Sequence, residues 1–161
     1  MADTLSVTDM LPNRFEPKRK FRWVLAIEGI DAFLVKSAAR PTVEITQQEI
    51  HWINTVRYVA GKAKFSTMSV TLYDPIAPSA AQQVMEWIRT HYESVSGRAG
   101  YADFYKRDIQ LKMLDPVGTV VELWDIKGAQ ITNVTYGELD YSQEEPSEIA
   151  LTLQMDNCVL Q

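Results

Sequence analysis

The sequence predicts a mainly β protein, an antiparallel β-sandwich or barrel with one flanking α-helix. Three observations predict it. Apolar and polar residues alternate with period two in one segment after another. In Ile149–Met155, for example, Ile149, Leu151, Leu153 and Met155 point one way, and Ala150, Thr152 and Gln154 the other. Asp115-Pro116-Val117-Gly118 lies between two strand-like segments, which is a hairpin signature. Only after Asp74-Pro75 and Pro78 does the period change to that of a helix.

The elements follow in chain order. Residues 1–17 are polar, contain Pro12 and Pro17, and read as a mobile or docking arm; residues 18–161 read as one β domain. Phe21–Ile27 sets Phe21, Trp23, Leu25 and Ile27 against Arg22, Val24 and Ala26, a strand. Gly29–Asp31 is a turn, and Ala32–Ala38 a second strand closed by Arg40-Pro41. Thr42–Gln48 and Ile50–Val59 follow as two extended segments ending at Gly61. Phe65–Tyr73 places Met68, Val70 and Leu72 opposite Thr67, Ser69 and Thr71.

Ser79, with Gln82 three residues on, has the spacing of a helix N-cap and capping box. Val84, Trp87, Ile88 and Tyr92 recur at helical intervals, so a helix from Ala80 to about Ser94 should lie with its one apolar side on a sheet. A loop, Gly97–Lys106, leads to Ile109–Met113, the turn, and Val120–Lys127. Gly128, the segment Gln130–Val134, a polar loop through Glu144-Glu145-Pro146 and the strand Ile149–Met155 complete the pattern.

Composition narrows the function classes. The 161 residues, 46% apolar and 23% charged, are enough for a hydrophobic core and ordinary for a globular protein. No apolar run reaches the roughly 18 residues that span a bilayer, so no membrane role is expected. The N-terminal stretch lacks the basic and apolar regions of a secretory signal, so assembly in a cytoplasm is expected. A net charge of −5 argues against a protein that wraps nucleic acid. The basic cluster Lys18, Arg19, Lys20 and Arg22 reads as a solvated stretch ahead of a strand. Cys158 is the only cysteine, which excludes an intrachain disulfide and a Cys-rich zinc site.

The search for chemistry is nearly empty, and no cofactor is expected. His51 and His91 have no second His or Cys at ligand spacing. Ser94-Val95-Ser96-Gly97 is no nucleophile elbow, and Gly97-Arg98-Ala99-Gly100 lacks the Lys-Ser/Thr of a phosphate loop. A hydrolase built on His91 and a nearby carboxylate has no supporting motif. A small binding module would need a pocket at Trp52 or Trp124. The remaining signal is the stretch Thr42–Val59. Val43 and Ile45 fit an apolar face, Gln47, Gln48 and Glu49 break it, and Ile50, Trp52, Val56 and Tyr58 resume it. Such a strand pair does not finish its burial inside its own domain and is a candidate for pairing with another subunit.

A set of short motifs then points to a family. Lys36-Ser37-Ala38-Ala39-Arg40-Pro41 leads into the strand pair, and Val59-Ala60-Gly61-Lys62 leads out of it. Thr67–Tyr73 ends in Asp74, the helix carries Val84-Met85-Glu86-Trp87, and Lys127-Gly128-Ala129-Gln130-Ile131-Thr132-Asn133-Val134 precedes an acidic loop and the last alternating strand. From about Trp23 to Met155 this order resembles the tail tube proteins of contractile-tailed bacteriophages, the T4-like tube family. The resemblance implies a tail-tube/Hcp-like fold and a structural, non-enzymatic subunit. It implies stacked rings, hexameric in the family, around a lumen that conducts DNA inside a contractile sheath. The implied partners are copies of the chain itself, the sheath, the baseplate initiator and terminator proteins, and the tape measure protein and DNA in the lumen without specific binding. The implied location is the virion tail, assembled in the host bacterial cytoplasm. In that picture Thr42, Glu44, Gln47, Ile50, Trp52, Ile53, Val56 and Tyr58 contact a neighbouring subunit, and Glu44, Glu122 and Asp140 face the lumen. The arm with Lys18–Lys20 and the ending Asn157-Cys158-Val159-Leu160-Gln161, which lacks an aromatic, depart from the family pattern. They leave open a protein at the baseplate or tube end, and the shared fold leaves open a type VI secretion or related injection tube.

Overall fold

The computed structural model describes residues 6–11 and 14–161. The expectation of an arm over residues 1–17 therefore falls partly outside the described residues, at 1–5, 12 and 13. Within them the arm holds one helical turn, α1 (Val7–Met10). The chain continues through β1 (Trp23–Ile27), a 3-10 turn (Ala32–Leu34), β2 (Val35–Ala38), β3 (Val43–Trp52), β4 (Thr55–Phe65) and β5 (Met68–Tyr73). Then come α2 (Ala80–His91), the single turn α3 (Ala102–Tyr105), β6 (Arg107–Leu114), β7 (Val120–Thr135), β8 (Glu148–Gln154) and β9 (Asn157–Leu160). The fold is mainly antiparallel β with α2 as its one substantial helix.

Seven strands form one sheet in the order β1-β6-β7-β8-β5-β2, with β9 on β7. The long strand β7 is the corner: its first half pairs with β6 and β9, its second half with β8. The two halves of the sheet bury their inward residues in one core. Leu25, Ile27, Ile109, Leu111 and Ile126 come from one half, and Val70, Leu72, Ile149, Leu151 and Leu153 from the other. This is the period-two pattern read from the sequence, with the polar alternates outside. Helix α2 lays Ala80, Val84 and Trp87 on the same core, at the i, i+4, i+7 spacing of a single face. Its N-cap is Ser79, whose hydroxyl accepts the amide of Gln82 at 3.5 Å. The Trp87 indole donates to the Tyr105 carbonyl at 2.7 Å, so the buried ring keeps a partner for its polar end.

Several boundaries differ from the sequence reading. Ala32–Leu34 is a 3-10 turn and not the start of a strand, because Leu34 turns inward while Phe33 stays exposed. Helix α2 stops at His91 and not near Ser94: Tyr92 bridges to Ala99, and the Gly100 amide closes on the His91 carbonyl at 2.8 Å. A Cβ at Gly100 would lie 2.0 Å from the Thr90 carbonyl oxygen, so only glycine lets the chain return this close. The loop Gly97–Lys106 contains α3. Gly128 does not separate two strands. It sits at φ +65° within β7, where Lys127 and Gly128 oppose the single residue Asp108, and this bulge turns the strand from one half of the sheet to the other. Strand β9 had no counterpart in the sequence reading.

Candidate assembly surface

Strands β3 and β4 pair with each other and with no other strand among the described residues. The turn is Ile53-Asn54, later than the break expected near Glu49. Ile53 takes φ +47°, the region glycine usually fills and a β-branched residue rarely does. Gly61 does not end a strand. It lies within β4 at a bulge, where Gly61 and Lys62 oppose Thr46. A Cβ at Gly61 would stand 2.5 Å from the Thr46 hydroxyl and 3.0 Å from the Thr46 carbonyl oxygen. The Thr46 hydroxyl donates to the Lys62 carbonyl at 3.2 Å and holds the bulge closed.

The register distributes side chains to two faces, since residues directly opposite share a face. One face carries the pairs Glu44–Lys64, Gln48–Val59, Ile50–Arg57 and Trp52–Thr55. The other carries Val43–Phe65, Ile45–Ala63, Gln47–Ala60, Glu49–Tyr58 and His51–Val56. Every residue of β3 is exposed, and so is all of β4 except the half-buried Gly61 and Phe65. Trp52 is 70% exposed and Ile53, at the tip, 91%. A two-stranded hairpin in water is marginal by itself, and apolar groups on both faces add exposed surface that folding does not remove. The whole chain exposes 12338 Å². A compact monomer of 18.3 kDa should expose roughly 8,100 Å².

The residues expected at an inter-subunit contact fall on this hairpin. Thr42 precedes β3 and its carbonyl accepts the Ser66 amide at 2.9 Å, which ties the hairpin's base to the body. Glu44, Ile50 and Trp52 lie on one face, Gln47, Val56 and Tyr58 on the other, and Ile53 at the turn. Val43, Ile45 and Val59 are equally exposed apolar residues of the same hairpin, and the sequence reading did not single them out for this surface. Among the residues expected at a lumen, Glu44 and Asp140 are exposed, and Asp140 accepts the Ser142 amide at 2.9 Å.

Glu122 is placed differently from Glu44 and Asp140. It is only 6% exposed, ion-paired to Lys18 and hydrogen-bonded by the Trp124 indole, with Arg40 at 3.7 Å. It therefore offers no free charge to a channel. The Lys18 contact draws its carboxyl below the ordinary range; the Trp124 bond and Arg40 act the same way, while burial opposes them. Lys18 stays exposed, as expected of a solvated stretch, while its ammonium reaches Glu122. Arg22 leans on the Phe21 ring at 5.1 Å, and Arg19 and Lys20 remain exposed.

The histidines do not assemble a reaction centre. His91 stacks edge-on against Tyr105 at 4.4 Å and forms no ion pair with a carboxylate among the described residues. His51 is exposed on the hairpin with its Nε2 3.7 Å from Glu49. No group of three His, Cys, Asp or Glu side chains is placed to hold a metal ion among the described residues. Trp52 stands exposed beside the turn of the hairpin, and Trp124 packs on the core. No helix among the described residues is long and apolar enough to cross a membrane.

No protein-family model matches the sequence, and no curated protein matches it. Solved structures do match in fold. One is the anti-feeding prophage cap, a tube-terminating cap, with a TM-score of 0.76 and 18% identity over 98% of this chain and 99% of that one. A second belongs to the sheath/tube terminator of the extracellular contractile injection system PVC, with a TM-score of 0.73 and 15% identity over 91% and 98%. A third belongs to the sheath–tube complex of the same system, with a TM-score of 0.69 and 14% identity over 98% and 99%. The chain has the fold that these contractile-system proteins share.

Proposed function

We propose that the chain is a structural subunit of the tube of a contractile machine, and that it works only in contact with copies of itself. The observation that carries this reading is the hairpin β3–β4, which exposes apolar side chains on both faces and belongs to a chain with too much surface for a finished monomer. The contact residues Thr42, Glu44, Gln47, Ile50, Trp52, Ile53, Val56 and Tyr58 would be covered by a neighbouring copy. A contact between two different surfaces of one chain repeats, closing rings in one direction and extending a filament in another. In this reading six copies close a ring, and rings line a conduit inside a sheath. The conduit serves DNA delivery in a phage tail, as the family resemblance implies, with the sheath, the initiator and terminator proteins and the tape measure as partners. The likeness to an injection-system terminator and tube also supports the related machine, and a place at the tube end.

Negative-stain microscopy of the purified protein across a concentration series tests this. Rings or hollow tubes of one diameter are expected. Long tubes identify a tube subunit, and rings that never stack identify a tube end. A compact monomer at every concentration overturns the proposal.

A further inference from the structure

Beside the strand β2 lies a groove of ≈ 380 Å³ whose lining includes Lys18, Arg19, Lys20, Lys36 and Arg40. Its apolar wall is Trp23, Leu111 and Met113. Two carboxylates answer these five cations: Glu122 holds Lys18 and Arg40, and Glu148 holds Lys36. Arg19 and Lys20 form no ion pair among the described residues, and the groove keeps a surplus of positive charge in a protein of net charge −5. The opposite feature is the loop between β7 and β8, residues 136–147. It holds Glu138, Asp140, Glu144 and Glu145 and no Lys or Arg. Leu139 and Tyr141 stand out from it, 92% and 112% exposed.

The two features adjoin at Lys36, which lines the groove, is ion-paired to Glu148 where the loop enters β8, and lies within electrostatic reach of Glu145. The loop leaves β7 at Thr135 and enters β8 at Glu148, which is paired with Tyr73. Strand β2 begins opposite Leu72, the neighbour of Tyr73, and runs the other way to Ala38 opposite Val70. Arg40 therefore follows the far end of β2. Lys36 is thus already answered from the loop's side, while Arg19 and Lys20 are not; the acidic, apolar-tipped loop and the unpaired part of the cationic, apolar-walled groove are complementary in charge, and a single chain presents both.

We propose that the loop 136–147 of one copy seats in the cationic groove of the next, with Glu144 and Glu145 meeting Arg19 and Lys20 and with Leu139 or Tyr141 against Trp23. This rests on the reading that the chain assembles with itself, and it names the surfaces of one such contact. The contact is head-to-tail and directional, so it extends an assembly instead of closing a pair. Asp140 then belongs to a contact between copies and not to a lumen wall. Complementary charge of this kind chiefly fixes register and encounter rate, and it weakens with salt.

The test uses the intact chain. Equal amounts of ordinary and 15N-labelled protein are mixed below and above the concentration at which particles appear. They are then coupled with a zero-length carbodiimide, and the Lys–carboxylate links are mapped by mass spectrometry. Links between the segment 18–20 and residues 138–145 that join one labelled and one unlabelled copy are expected, with their yield falling several-fold in high salt. Links confined to single copies would mean that the loop folds on its own groove, and would overturn the proposal. Rings or tubes seen in the same sample without such links would overturn it while leaving the assembly reading intact; the groove would then face some other acidic protein. Neither particles nor links would overturn both. Charge exchange supplies an independent check. Arg19→Glu with Lys20→Glu, or Glu144→Lys with Glu145→Lys, should each raise the concentration needed for assembly at least ten-fold. The four substitutions together should restore it. Failure of that restoration, with all three variants folded by circular dichroism, would also overturn the proposal.

Discussion

Glu122 shows how one side chain can be legible as a type and not as a place. Its sequence neighbours, Val121 and Leu123, say nothing of Lys18 and Arg40, which come from 104 and 82 residues away. Only the folded sheet brings the three together and excludes water from the carboxylate. Because the Lys18 contact holds its folded pKa down, Glu122 contributes its full stabilisation above the ordinary carboxylate pKa of about 4.3. That contribution fades as pH falls through the depressed folded value. Glu122→Gln should cost roughly 1.5–3 kcal/mol at neutral pH, the scale of a hydrogen bond to a charged group. It should also flatten the loss of stability below pH 5 in urea titrations of dilute protein. A variant as acid-sensitive as the parent would show that Glu122 is not the group responsible. Gly61 makes the complementary point. The sequence signalled a glycine's special role there but not which one, since a stop and a bulge look alike in one chain. Gly61→Ala should press its methyl on the Thr46 backbone and misalign the hairpin. We expect lost assembly in light scattering, with the melting temperature of the dilute protein almost unchanged.

At the scale of elements, the strands with one buried face were legible in pattern, whereas β3 and β4 were read as two extended segments with their turn misplaced, and β9 was not read. β1, β5, β6 and β8 alternate because water and core impose opposite demands on their faces. β3 and β4 carry apolar groups on both faces, so alternation blurs, and the turn at Ile53-Asn54 has only Asn54 to announce it. β9 is four residues long with only Cys158 half-buried, too little for a pattern. The same contrast separates two classes of substitution. Leu151→Ala, in the core strand β8, should cost about 2–5 kcal/mol. Ile50→Asp with Trp52→Asp, on one face of the hairpin, should leave chemical denaturation of the dilute protein within about 0.5 kcal/mol of the parent, as exposed positions do. That pair should nevertheless abolish rings and tubes in micrographs. If the hairpin pair unfolds the protein as Leu151→Ala does, the hairpin is core and not contact surface.

For the whole molecule, the division between a body with its own core and a hairpin without one is a statement about where the free energy of folding resides. No side chain of β3 and only Phe65 of β4 reaches the core, and the base is fixed by Ser66 to Thr42 and by the Gln154 side chain donating to the Phe65 carbonyl at 2.9 Å. Both ties survive if residues 44–64 are replaced by Asn-Gly, a turn that joins opposite residues of a hairpin such as Val43 and Phe65. The shortened chain should fold, and at low concentration it should melt within a few degrees of the parent, since a shift of 1 kcal/mol is worth about 2–4 °C at this size. The parent should gain stability as its concentration rises, because association favours only the folded state. In the shortened chain that dependence should vanish, and no particles should form. Calorimetry at two concentrations, read beside micrographs of the same samples, decides the matter. A shortened chain that unfolds would place the hairpin among the elements that hold the body together. One that still builds rings would assign assembly to another surface.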